Sequence, residues 1–517
     1  MDDKFGVYTY QCPQNPTSGQ DFYYFSHKYK QSLIDDICAC RASNSNWSRR
    51  LSTTSDERTM FDILADYVYI PIVGVIVVLA LAFVWLLAMK YFGQTFIWIS
   101  MAMIIAIKIT MAILLFSVDG STPAIIIIVF TSIFALYLFC RREVINRAGV
   151  SLETACKGLW KNPSIFIILT PIECVYLLYV FLWIFAWSQS WKIGSVDSLT
   201  CSVSVDSKGQ QKMWFSSFLI LWITMYINHV KVNVVGATLG AWAFGQEEDG
   251  SWTVSCAAAK WSFWNSSPTL ALSSVICSVV EYLKRLAENK CNKFNPACCV
   301  FMIIMYCLMS VLQAFGRFCV VLHSITGKPF YESAYHSFKL LVKGGNIESA
   351  IAADYFIGLA LGLTSYFLSL GVGFMMWAWG DEASGLKTLD PNADDWKTWF
   401  WILFVMFVIM NRYPYWSIFI LAIIGGNSSI ASATDAKSSI VLMAMFGANI
   451  AHIVFAFFAA IVLDGVDTIV MCYAIDKANG LAASDYSKKD PIVASMYVKI
   501  DDLVTKKGES SDDNSKA

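Results

Sequence analysis

Apolar runs of membrane length, separated by short polar breaks, fill most of this chain. The pattern predicts helical spans over residues 67–89, 94–116, 122–140 and 164–187, and a fifth from 213 towards 240. These runs match the roughly 18 or more apolar residues that read as a crossing. Further on the pattern is less regular. Residues 262–283 and 300–322 either both cross or neither does, since each ends or begins among charges. Residues 354–379 cross. The run 396–424 is interrupted by Arg412 and Pro414 and reads as a re-entrant hairpin, and 440–475 is the last long apolar stretch. The predicted fold class is all-α, a polytopic transmembrane helical bundle of about nine spans. A β-barrel is excluded because its strands alternate polar and apolar positions.

Charge orients the bundle. The loop 141–162 holds Arg141, Arg142, Arg147, Lys157 and Lys161 against Glu143 and Glu153, which places it in the cytosol. Counting back three spans puts residues 1–66 outside, as an extracellular segment with Cys12, Cys38, Cys40 and the glycosylation pattern Asn46-Trp47-Ser48. No secretory signal or span precedes that segment, so the expectation is that an upstream membrane helix precedes residue 1, with an uncleaved translocated tail as the alternative. The domain reading is then 1–66 outside, 67–475 in the membrane, and 476–517 as a polar cytosolic tail rich in Ser, Lys and Asp.

Composition agrees and narrows the chemistry. Of 517 residues 56% are hydrophobic and only 15% charged, too little polar surface for a soluble protein of this size. The net charge of −1, without a long basic block, gives no reason to expect nucleic acid. The 15 Cys show no metal-ligand spacing and His occurs only five times, so neither a metal site nor a cofactor is expected. No nucleophile–base constellation or phosphate-binding glycine loop points to an enzyme.

Three stretches carry a resemblance. Gly327-Lys-Pro-Phe330-Tyr-Glu-Ser333-Ala334-Tyr-His-Ser-Phe338 leads into Leu340-Leu341. Near the end, Phe458 leads to Val466-Asp467-Thr468-Ile469 and then Cys472-Tyr473 and Asp476. The Arg141-Arg142 loop is followed by a short cytosolic helix and a span carrying Pro171. Together these resemble the choline transporter-like protein family over roughly residues 60–480. Three departures stand out: the chain begins inside the family's large extracellular loop, Lys477-Ala478-Asn479-Gly480 lacks the expected charge cluster, and the apolar run 396–424 is larger than expected. The resemblance implies a family of ten spans, an organic cation such as choline or ethanolamine as substrate, and transport by alternating access at the plasma membrane. A non-transporting membrane scaffold or receptor subunit is the alternative that the hydropathy equally allows.

A quaternary ammonium offers no N–H, so it is bound by aromatic faces and sometimes a carboxylate. Glu173, Tyr176, Val180, Trp183 and Trp187 follow one helical stripe of the fourth span, and Trp222, Tyr226 and His229 share a face of the fifth. Glu173, Tyr176, Trp183, Trp222 and Tyr226 are therefore the candidate substrate-binding residues. An intramembrane carboxylate faces the bundle interior or a wet cavity. Glu173 is either a counter-charge beside an aromatic cage or the ion-pair partner of Lys108, with the pairing the preferred reading. Pro171 either breaks its helix or kinks it. Asp464 and Asp467, at i and i+3, read first as structural and second as gating residues.

Overall fold

In the computed structural model the described residues are 69–117, 121–190, 194–196, 203–205, 207–245, 250–290, 296–343, 347–384, 436–480 and 489–514. Their element order is α1 Tyr69–Ser117, α2 Ser121–Cys140, α3 Arg142–Lys161, α4 Ser164–Ser190, β1 Gly194–Val196, β2 Val203–Val205 and α5 Ser207–Ala243. It continues with α6 Gly250–Phe263, α7 Ser267–Lys290, α8 Pro296–Thr326, α9 Phe330–Lys343, α10 Ile347–Ser384, α11 Ala436–Ala478 and α12 Pro491–Asn514. The one sheet among the described residues is the antiparallel pair β1–β2, in which Ser195 faces Ser204. The described residues are otherwise all-helical in their regular elements. Asn46 and the run 396–424 lie outside the described residues.

Among the described residues, five helices are long and apolar enough to cross a membrane, or up to seven if each of two bent pairs counts as one span. The predicted count of about nine is not reached by the described residues. The first two predicted spans are joined end to end in α1 across a kink at Phe92, where the backbone leaves helical geometry (φ −126°, ψ 26°). At 1.5 Å per residue its 49 residues run about 74 Å, more than twice the thickness of a hydrocarbon core. The break at Phe92 falls in the turn predicted between 89 and 94.

Sharp bends mark the other joints. α2 and α3 meet at 71°, where apolar sequence gives way to an amphipathic helix that buries Ile145, Ala148, Leu152, Ala155 and Leu159. α6 and α7 meet at 67° around Trp264-Asn265-Ser266. The predicted run 262–283 is thus divided differently: Ser262 and Phe263 end α6, and Ser267-Pro268 start α7, a proline in the first turn being suited to a helix start. The predicted run 300–322 lies within α8, of which Val311–Thr326 is an apolar stretch. Pro171 lies inside α4, which continues through it.

The chain divides into two compact units. One comprises Met1–Leu79, Leu177–Ile220 and Leu368–Val454. In it α10 packs closely on α11: a Cβ at Gly373 would sit 2.9 Å from that of Ala448. The other comprises Ala80–Tyr176, Leu221–Phe367 and Phe455–Ala517. Its core gathers Val230 and Val232 of α5, Leu270 of α7, Phe318, Val321 and Leu322 of α8, and Met471 of α11. Gly236 lets α5 approach α8, for a Cβ there would fall 2.0 Å from Ser324 Oγ and 3.0 Å from its Cβ.

The tail carries a docked helix. Asp490 accepts the Ile492 N–H at the start of α12 (2.9 Å), and its other oxygen accepts from Lys161 of α3 (2.7 Å) and the Trp242 indole of α5 (3.2 Å). Asp476 of α11 takes Lys489 (2.7 Å) and Tyr497 (2.6 Å), while Asp501 of α12 takes Tyr473 (2.8 Å) and Lys477 (2.9 Å). Burial alone would raise the Asp490 carboxyl; the hydrogen bonds from Lys161, Ile492 and Trp242 outweigh it and hold it below the ordinary carboxylate range.

Two outcomes follow from this packing. Gly236→Ala should destabilise the protein by about 1–3 kcal/mol through overpacking, with Ser324→Ala restoring part of the loss; thermal unfolding in detergent measures both. Asp490 is more acidic folded than unfolded, so its contribution is complete above an unfolded pKa of about 4 and disappears as pH falls through the lower folded value. Exchange of the α12 amides should therefore quicken below about pH 4, and Asp490→Asn should abolish that dependence.

Candidate functional site

Two buried ionic clusters lie in the unit that contains most of α5, α8 and the second half of α11. In the first, Glu173 of α4 accepts from Lys231 of α5 at 3.0 Å, with side chains only 12% and 7% exposed. The predicted partner Lys108 is elsewhere, its ammonium 4.8 Å from the centre of the Phe134 ring. The preferred sequence reading, an ion pair, is thus present with a different cation. Lys231 lies within the predicted fifth span, and α5 is continuous through it to Ala243.

The second cluster centres on Arg317 of α8. Its Nη1 contacts Asp354 of α10 at 3.2 Å, and its Nη2 contacts Asp464 and Asp467 of α11 at 3.2 and 2.7 Å. The i, i+3 spacing sets both α11 carboxylates on one face, and the planar guanidinium presents several N–H groups in a fixed fork towards them. Thr468 is buried and donates back to the Asp464 carbonyl at 2.8 Å. Such back-bonding within a helix is associated with local bending. The two aspartates are 8% and 4% exposed, while Arg317 retains 25%.

Charge does not balance here. Four carboxylates (Glu173, Asp354, Asp464 and Asp467) meet two cations, Lys231 and Arg317. With every group ionised, the Arg317 cluster carries an excess of two negative charges. In an apolar surrounding such an excess is costly unless a cation or protons compensate it.

The predicted aromatic residues are not gathered into one cage. The Tyr176 hydroxyl pairs with Thr224 of α5 at 2.8 Å. Trp222 donates to Ser274 of α7 at 3.0 Å, and Tyr226 pairs with Ser267 at 3.0 Å, so both point towards the α6–α7 bend. Trp183 belongs to the other unit, where its indole donates to the Ser216 carbonyl at 2.9 Å and its ring lies 6.2 Å from that of Trp187.

The motif around Gly327 builds a hairpin. Gly327 has φ +69°, a left-handed conformation that favours glycine, and turns α8 into α9. Buried Ser333 donates to the Lys328 carbonyl at 3.0 Å, beside His323 Nδ1, which meets the same oxygen. Phe338 packs edge-on to Phe315 with ring centres 6.1 Å apart, and Phe330 and Ala334 are half-buried on α9. These contacts give the motif a structural part.

Arg317 and Asp354 were missed by sequence reasoning. The available signal was a single arginine inside an apolar run, together with carboxylates inside two later runs. Among the described residues no group of His, Cys, Asp and Glu is arranged to hold a metal ion.

Apolar helices of crossing length around a charged interior define a multi-pass α-helical membrane protein. The chain belongs to the plasma-membrane choline transporter family, whose sequence profile matches residues 125–478. It is similar to a CTL-like protein of Dictyostelium discoideum, 22% identical over 327 residues, which cover 56% of this chain and 59% of that protein. It is likewise similar to Protein PNS1 of Cryptococcus neoformans var. neoformans serotype D, 22% identical over 347 residues, 63% of this chain and 62% of that one. Protein PNS1 of Yarrowia lipolytica is 20% identical over 330 residues, 61% of this chain and 56% of that protein. The match therefore spans less than two thirds of each relative.

Lys231→Met alone should cost about 3–5 kcal/mol of stability, because it leaves Glu173 buried without its cation. Adding Glu173→Gln should recover most of that loss. Chemical denaturation of the two variants in detergent, with the Glu173→Gln single variant completing the cycle, measures the coupling.

Proposed function

We propose that this protein carries choline or a closely related organic cation across the plasma membrane by alternating access. The carrying observation is the carboxylate excess around Arg317, a counter-charge for a cation that has no N–H to donate. Family membership supplies the substrate class. Asp354, Asp464 and Asp467 act as the anionic side of the path, with the Arg317 guanidinium as their partner between transport events.

Glu173, Tyr176, Trp222 and Tyr226 are proposed as substrate contacts on α4 and α5, their hydroxyl and indole groups fixed by neighbours so that the ring faces keep their orientation. A cation–π contact contributes about 0.5–2 kcal/mol. Trp183 is proposed as a separate contact further along α4. We also assign residues 1–66 to the outer side, with Asn46 glycosylated, and the tail from 476 to the cytosol.

Labelled choline uptake by cells lacking their own uptake system tests the reading. Expression should give a saturable gain. Asp467→Asn should raise the apparent KM by roughly tenfold at unchanged surface abundance, a loss of about 1.4 kcal/mol. Trp183→Ala should weaken uptake less. No saturable gain from the wild-type chain, or losses that merely follow surface abundance, would sink the proposal and favour a scaffold.

A further inference from the structure

A cleft of about 270 Å3 lies between α3 and α12, on the face assigned to the cytosol by its basic loop. Val150, Glu153, Thr154 and Lys157 line it from α3, at i, i+3, i+4 and i+7, so they form one face of that helix. Ile492, Ser495, Met496 and Lys499 line it from α12 in the same manner. Short Ser495, Thr154 and Val150 leave a gap where longer side chains would interlock. The docking contacts of Asp490, Asp476 and Asp501 hold the two walls in place around it.

Its chemistry is cationic with an apolar side. Glu153 is the one carboxylate among the lining residues, and it is already neutralised by Lys157 four residues along. Lys499 is exposed and has no ion-pair partner among the described residues. The cleft therefore carries one uncompensated positive charge. Lys157 has three N–H groups and can serve a second acceptor besides Glu153. The Ser495 hydroxyl supplies a third donor, and Val150, Ile492 and Met496 form an apolar wall.

We propose that this cleft binds a small phosphate ester from the cytosolic side, held by Lys157, Lys499 and Ser495. Three donors from two helices suit a tetrahedral oxyanion better than a carboxylate, which presents two oxygens. The volume admits a phosphate with a few carbons and falls below the range of pockets for larger ligands. The same chemistry is offered by a soluble phosphomonoester and by a phospholipid headgroup with an exposed phosphate. Binding requires both walls, so the ligand stabilises the docked position of α12 by mass action.

The test uses the full chain purified in detergent, with glycerol 3-phosphate as the soluble probe, and the same chain in nanodiscs with or without phosphatidate. Thermal unfolding should shift upward and saturate with one of the two probes. A shift with glycerol 3-phosphate identifies a soluble ester, and a shift confined to phosphatidate nanodiscs identifies a headgroup. Lys499→Gln, at an exposed position that leaves the fold intact, should weaken the half-saturating concentration roughly tenfold, and Ser495→Ala by a smaller factor. Absence of a saturable shift with either probe overturns the proposal, as does an undiminished shift in Lys499→Gln.

Discussion

A carboxylate inside an apolar bundle must find a cation, and most of what is particular to this protein follows from how that demand is met. Asp354, Asp464 and Asp467 converge on one guanidinium, so α8, α10 and α11 are held by a single side chain in the unit they share. Lys231 and Glu173 tie α4 to α5 in the same way. Hydrophobic burial cannot select these pairings, because the surrounding faces are interchangeably apolar. The ion pairs fix which helix faces which. In a buried setting their worth lies more in specificity than in net stability, since the cost of desolvation offsets much of the attraction.

How much of this could be read in advance differs by element. The long, mostly apolar runs of α1, α4, α5, α10 and α11 identify themselves, because nothing but a helix or a closed barrel satisfies a backbone in hydrocarbon. Residues 141–162, read as a basic loop, contain the amphipathic α3, whose apolar face of Ile145, Ala148, Leu152, Ala155 and Leu159 the charge count did not reveal. The division between α6 and α7 was not: the apolar pattern runs on through Phe263, and only the Asn265-Ser266 step followed by Pro268 signals the bend. Glu173 was recognisable as a buried charge, yet its partner was not. Similar depth on the second span pointed to Lys108, whereas the cation that meets Glu173 is Lys231 of α5. Arg317 lay in a run too ambiguous to place, so its meeting with aspartates on two later helices had no local trace. Asp464 and Asp467, by contrast, carried a trace in their spacing, although it did not name the cation between them.

The contacts of α12 follow another logic. There water can solvate unpaired groups, and polar contacts add orientation to a helix already seated by Val493, Met496 and Tyr497. Asp490 joins the start of α12 to α3 and α5 through three hydrogen bonds. The tail, polar in composition, is thus part of the folded unit, because its few apolar residues recur at helical spacing and find a surface to cover.

The distances along the chain between the members of the Arg317 cluster have a consequence for biosynthesis. Asp354 follows Arg317 by 37 residues, but Asp464 follows it by 147. At a synthesis rate of 5–20 residues per second, Arg317 waits roughly 7–30 s for α11 to emerge. During that interval α8 holds a charged group with at most one of its three partners, and is poorly suited to enter lipid alone. Its final packing against α10 and α11 is therefore a late event, completed when the last long helix arrives.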